Sequence, residues 1–201
     1  MRCSTLHGMA FIYKDGTCDI YGPSQVDFSG QERLFRRLIS PPPGPLEEVS
    51  RGKPSEATAN YPSFYPHNAV DDSDSTMYHS ANGIARAWWM IDLLQHRLVR
   101  AVEVLPRYDF APAVGRFHDV EKLIEPQIRV SSTPRNGEDF SSWNLIGQYA
   151  GPYTAAEWRL NFTHDIGICG RYVVVQKVSS DTDHLQIVDV RVYVAPMMPI
   201  S

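Results

Sequence analysis

Cysteine is scarce: Cys3, Cys18 and Cys169 are the only three in a chain of 201 residues. They are too few for a disulfide scaffold and lack the spacing of a metal-binding set. No run of about 18 apolar residues occurs, so no helix is expected to span a bilayer. The Met1-Arg2-Cys3 start lacks the apolar core of a secretory signal, so a processed or truncated chain is expected. Charge of one sign is not in excess either. The formal net charge of −4 offers no broad attraction to phosphate backbones or anionic headgroups, and nucleic acid is not an expected partner. A Ser-His-Asp order, metal-hydrolase spacing and a glycine-rich phosphate loop are all missing, so the chain is not expected to be an enzyme.

A hydrophobic content of 43% is ordinary for a globular protein, with room for one domain and a smaller piece. Residues 1–23 hold Ala10-Phe11-Ile12-Tyr13 and Cys18-Asp19-Ile20-Tyr21 around an Asp15-Gly16 turn, the pattern of a β-hairpin. This piece resembles the end of a PAN/apple module. Cys3 and Cys18 flank the hairpin and are candidates for a disulfide. Residues 24–50 form a linker. In it, Leu34 and Phe35 stand four residues before Leu38 and Ile39, predicting a short amphipathic helix over 31–39, and Ser40-Pro-Pro-Pro-Gly-Pro then favours extended backbone.

From residue 51 to 196 the pattern becomes short apolar runs punctuated by Gly, Pro, Asn, Asp and Ser, with no long helical period. Strands are expected over 88–93, 100–105, 127–131, 143–146, 156–162, 172–177 and 187–194. The fold class is all-β, an antiparallel sandwich. Asn161-Phe162-Thr163 is a glycosylation sequon, and alternation with Leu160 and Phe162 turns Asn161 outward. An extracellular setting follows if the sequon is used.

Three motifs in series carry a more specific message: Gly52-Lys53-Pro54, then Asn68-Ala69-Val70-Asp71, then Trp88-Trp89 with Asp92-Leu93. Together with Gly170-Arg171-Tyr172 and Leu185 to Tyr193 they resemble the F-type lectin (fucolectin) domain. The resemblance implies a jelly-roll β-sandwich of the galactose-binding-domain-like kind and fucosylated or related glycans as partners. It also implies a sugar site of His79, Arg107, Asp109 and Arg116, with Phe110 offering an aromatic face. Guanidinium forks suit sugar oxygens because they present several fixed N–H donors.

The same resemblance implies a calcium ion held by Asn68, Asp71, Ser73, Thr76, Val188 and Asp189, partly through main-chain carbonyls. Asp72 stands where the family has glycine, a position of positive φ. Met77 and Val188 occupy the places of a family cystine, so packing is expected to replace that cross-link, and Cys169 reads as a buried small hydrophobe. The alternative function is an adhesion or assembly module that uses the same sandwich against protein. A longer loop after Arg116 and the extra amino-terminal piece favour it.

Overall fold

The computed structural model describes residues 10–14, 17–21, 44–107, 126–149, 159–180, 182 and 184–196, the first two stretches as backbone only. The expected helix over 31–39, most of the proline-rich run, and Cys3, Asp109, Phe110 and Arg116 lie outside the described residues. Strands β1 (Ala10–Lys14) and β2 (Thr17–Tyr21) pair antiparallel, Ala10 opposite Tyr21 and Lys14 opposite Thr17. The main sheet contains β3 (Glu47–Glu48), β4 (Ser55–Ala57), β5 (Tyr78–His79), β6 (Trp88–Pro106), β7 (Pro126–Ser131), β8 (Asn144–Gln148), β9 (Leu160–Lys177) and β10 (Gln186–Val194). Its order is β3-β10-β6-β9-β7-β8, with β4 on β6 and β5 on β10, and every pair is antiparallel.

Two strands do the folding over. The expected strands 88–93 and 100–105 are one strand, β6, and those at 156–162 and 172–177 merge into β9. Both strands bend midway. In β6 the register shifts between Asp92 and Arg97 and again between Val99 and Ala101, with Leu94 at φ 66°. In β9 the bend is at Gly167, whose φ of 90° and closeness to Leu98 and Arg100 leave no room for a Cβ. A single long strand can thus serve both layers, which a reading by polar interruptions splits in two.

The core lies between the layers so formed. Trp89 and Ile91 from the first half of β6 meet Val102 and Val104 from its second half, Val173 and Val175 of β9, Ile128 and Val130 of β7, and Val190 and Val192 of β10. Alternation sends Trp88 and Met90 to the opposite face, where Phe140, Trp143 and Val174 cover them. The Trp-Trp-Met-Ile run is therefore buried on both faces, which is why it reads as continuous rather than alternating.

The three motifs are structural clasps. Gly52, at φ 64°, donates its N–H to Val70 O at 2.8 Å, and Asp92 N donates to Pro54 O at 2.9 Å. Trp89 Nε1 donates to Pro66 O at 2.9 Å, anchoring the 3-10 turn Pro66–Val70. Asp92 is gripped by Arg171 through two bonds of 2.6 and 2.7 Å, so its pKa is held below the ordinary carboxylate value, chiefly by that guanidinium. The motifs work together because they supply one another's hydrogen-bond partners.

Cys169 corrects the sequence reading, because it is disulfide-bonded rather than a free buried thiol. In a chain of three cysteines its partner is Cys3 or Cys18, so the expected Cys3–Cys18 pair does not stand beside it. Cys169 lies in β9 opposite Leu98 of β6, and β2 packs against β6. The amino-terminal strands and the sandwich are therefore neighbours as well as covalently linked.

Candidate functional site

One end of the sheet gathers polar and aromatic side chains. Strand β5 delivers His79 and β10 begins with Gln186 directly opposite it, while β6 ends at Pro106 and hands the chain to Arg107. Arg107 N donates to Gln186 O at 3.4 Å. The ladder therefore brings His79 and Arg107, distant in sequence, to one place.

Hydrogen bonding fixes the His79 tautomer. Nδ1 lies 2.7 Å from Ser80 O, which only accepts, so Nδ1 carries the proton. Nε2 then accepts from the Gln186 amide at 2.8 Å. Both ring nitrogens are thus engaged, which the sequence reading of His79 as an open sugar ligand did not foresee. Burial lowers the His79 pKa below the ordinary 6.5; the Ser80 carbonyl opposes this, and the charges of His184 and Arg107 add to the lowering. His79 is neutral at physiological pH.

His184 completes the group. Its ring centroid lies 4.5 Å from that of His79, and its Nδ1 donates to Ser80 O at 3.1 Å. Tyr61 and Phe64 pack on the His79 ring at 5.1 and 5.6 Å. A tight turn positions them, Phe64 N donating to Tyr61 O at 3.1 Å with Ser63 at φ 72°. Beside His79 in β5, Tyr78 turns into the core, its hydroxyl bonded to Thr58 Oγ1 at 2.9 Å; burial pushes its pKa up to about 12. The arrangement gathers polar groups beside an aromatic wall, with Tyr61 39% exposed at its rim. Such a surface suits a ligand with hydroxyls on one side and C–H groups on the other.

His184, Gln186, Tyr61 and Phe64 were missed from sequence. The one available signal was the position of Gln186 at the start of a motif strand, since an antiparallel partner of β5 has to face His79. Asp109, Phe110 and Arg116 lie outside the described residues.

A second group surrounds the acidic loop. Asn68 Nδ2 donates to Met77 O at 3.1 Å and to Ser63 O at 3.3 Å, spanning the loop with its side chain. Asp71 accepts from Ser73 N at 3.0 Å and from Thr76 Oγ1 at 2.8 Å, and Thr76 Oγ1 is also within 3.3 Å of Ser73 O. Asp72 takes the expected positive φ, 66°, and is ion-paired to Arg51. A bulge takes Val188 out of the β6 ladder. The β5–β10 register, carried one step further, sets Met77 opposite Val188.

Asp189 is the carboxylate that β10 brings to this group, and it is buried. Its Oδ2 accepts from Arg159 Nη1 at 2.7 Å and from Arg191 Nε at 3.0 Å. Arg159 Nη2 also reaches Asp74 Oδ1 at 3.4 Å. A calcium ion at these oxygens would stand close to two guanidinium charges, where Coulomb repulsion is weakly screened. As arranged, with Asp189 already neutralised by arginine, the set does not fit a free divalent cation. Asn161 is exposed, opposite Glu103 in the ladder.

No protein-family model matches the chain, and no curated protein matches it significantly. Solved structures do. A fucolectin from striped bass (Morone saxatilis) serum superposes with a TM-score of 0.60 at 19% identity, over 76% of this chain and 48% of that one. The lectin-binding domain of lectinolysin, a mutant complexed with Lewis b, gives 0.58 at 18% identity, over 77% of this chain and 100% of that domain. A family 32 carbohydrate-binding module from C. perfringens NanJ, in complex with galactose, gives 0.57 at 14% identity, over 74% and 99%. The chain therefore has the antiparallel β-sandwich fold that F-type lectins share with galactose-binding carbohydrate modules.

Proposed function

We propose that this chain is a carbohydrate-binding module of the lectin kind, taking a fucose-type sugar at the end of the sheet where His79, Arg107, His184 and Gln186 meet. The observation that carries this is their convergence around the aromatic pair Tyr61 and Phe64. The striped-bass fucolectin and the Lewis b and galactose complexes of similar fold support the ligand class.

Recognition works by exchange. A sugar hydroxyl reaching His79 Nε2 donates in place of the Gln186 amide, one hydrogen bond for another, so the exchange costs little net energy. The Arg107 guanidinium supplies charge-assisted donors to ring or hydroxyl oxygens, and His184 Nε2 accepts from a further hydroxyl. Tyr61 covers the C–H face. Asp109, Phe110 and Arg116, next along the chain, are proposed to complete the site. The module belongs to an extracellular protein in this reading, supported by the disulfide at Cys169 and the exposed Asn161 of the sequon.

A glycan-array screen followed by calorimetric titration of the best fucosylated ligand tests the proposal. Wild type should bind and Arg107→Ala should bind roughly tenfold or more weakly, with both proteins melting alike. Equal binding by the two proteins, or no glycan bound by wild type, overturns it.

A further inference from the structure

We propose that the Arg159 guanidinium is the resident cation of this domain, tying the Asp71–Thr76 loop to the closing strand in place of a calcium ion. Geometry comes first. One planar fork reaches Asp189 of β10 at 2.7 Å and Asp74 of the loop at 3.4 Å, so a single side chain of β9's leading edge joins two elements. Burial comes second. The side chains of Arg159 and Asp189 keep only 15% and 6% of their exposure, and a carboxylate so enclosed requires a permanent counter-charge.

Charge balance is the third ground. Arg191 adds a second guanidinium to the same Asp189 oxygen at 3.0 Å. Burial works against the Arg191 charge, yet Asp189 and Tyr193 beside it leave its pKa raised. Asp189 and Asp74 against Arg159 and Arg191 sum to zero, and Asp72 has its own partner in Arg51. Asp71 is tied within the loop by Ser73 N and Thr76 Oγ1. Among the described residues, no uncompensated pair of carboxylates is left facing the loop for a divalent ion to neutralise.

A guanidinium stays charged at any physiological pH, so this tie varies with neither calcium nor proton concentration. The loop runs straight into β5 and His79, so the end of the sheet that carries the His79 group is held in place without metal. The inference does not rest on sugar binding.

Calorimetric melts of the whole chain in millimolar calcium chloride and in chelator, with equilibrium dialysis against radioactive calcium, test it. The wild-type midpoint should be the same in both solutions, with no calcium retained. Arg159→Met should lower the midpoint by about 6 °C or more, because it leaves a buried carboxylate with one partner fewer. Arg159→Lys, which keeps the charge but loses the fork, should fall between the two. A calcium-dependent rise in the wild-type midpoint or stoichiometric calcium binding overturns the proposal, and so does Arg159→Met melting like wild type. Should Arg159→Met fail to fold, the wild-type melts and dialysis still decide.

Discussion

The His79 group and the Asp189 group share one strand, β10, which gives Gln186 to the first and Asp189 to the second, and are built on opposite principles. Around His79 the direct contacts are neutral hydrogen bonds and ring-on-ring packing, and the ring itself stays half-exposed: Ser80 and Gln186 hold it, Tyr61 and Phe64 flank it. Around Asp189 the contacts are between full charges and the carboxylate is buried. Neutral bonds are exchanged at little cost, so the first group can admit a ligand. Opposed charges out of water are costly to separate, so the second group serves as a fastening.

Removing the fastening should produce the largest effect. Asp189→Ala takes the buried carboxylate from Arg191 and leaves Arg159 only its longer contact with Asp74, and a loss of about 3–5 kcal/mol in unfolding free energy is expected from denaturant titration. If the loss is under about 1 kcal/mol, the pair is no fastening and the contrast fails. Cys169→Ser, or reductant, should cost about 2–4 kcal/mol by freeing the cross-linked chain. A melt unchanged by reductant would mean that the bridge contributes nothing.

On the other side of the comparison, Arg107→Ala should leave the melt alone and weaken glycan binding by about 1.5–3 kcal/mol, roughly tenfold or more. Gln186→Ala sharpens the idea of exchange. If the amide only keeps His79 Nε2 occupied until a hydroxyl arrives, its loss should tighten binding slightly or leave it unchanged, read by calorimetric titration. A tenfold loss would make Gln186 a direct sugar ligand.

The smallest effect is a pH dependence. The folded His79 pKa is lowered, so between that value and the ordinary 6.5 the unfolded chain binds the proton and the folded one does not. Stability contributed by neutral His79 is therefore present above 6.5 and lost as pH falls through that range. Melts at about pH 7.5 and 5.5 should differ, and His79→Gln should reduce the difference. Asp92, also lowered, acts only further down, its contribution going as pH falls below the ordinary carboxylate value of 3.8.

The sandwich was legible because its signals are local. Trp88-Trp89-Met90-Ile91 between polar turns is a doubly buried strand whatever surrounds it, and Gly52 and Asp72 sit at the positive φ that their motif positions demand. What local patterning missed were features set by partners far along the chain. The bends that make β6 and β9 continuous depend on Gly167 lying against Leu98 and Arg100. The disulfide at Cys169 joins a strand near the carboxyl end to the amino-terminal region.

Residue types and motif order determined the fold class, the clasps at Gly52, Val70 and Asp92, and the candidacy of His79 and Arg107, since each rests on chemistry within a few residues or on a repeated order. Only the tertiary structure decided what those candidates touch. The β5–β10 register places Gln186 on His79 Nε2, and the approach of β9 to β10 puts Arg159 on Asp189. A side chain's composition says which bonds it can make; which of them it does make depends on groups brought within about 3 Å by strands far apart in sequence.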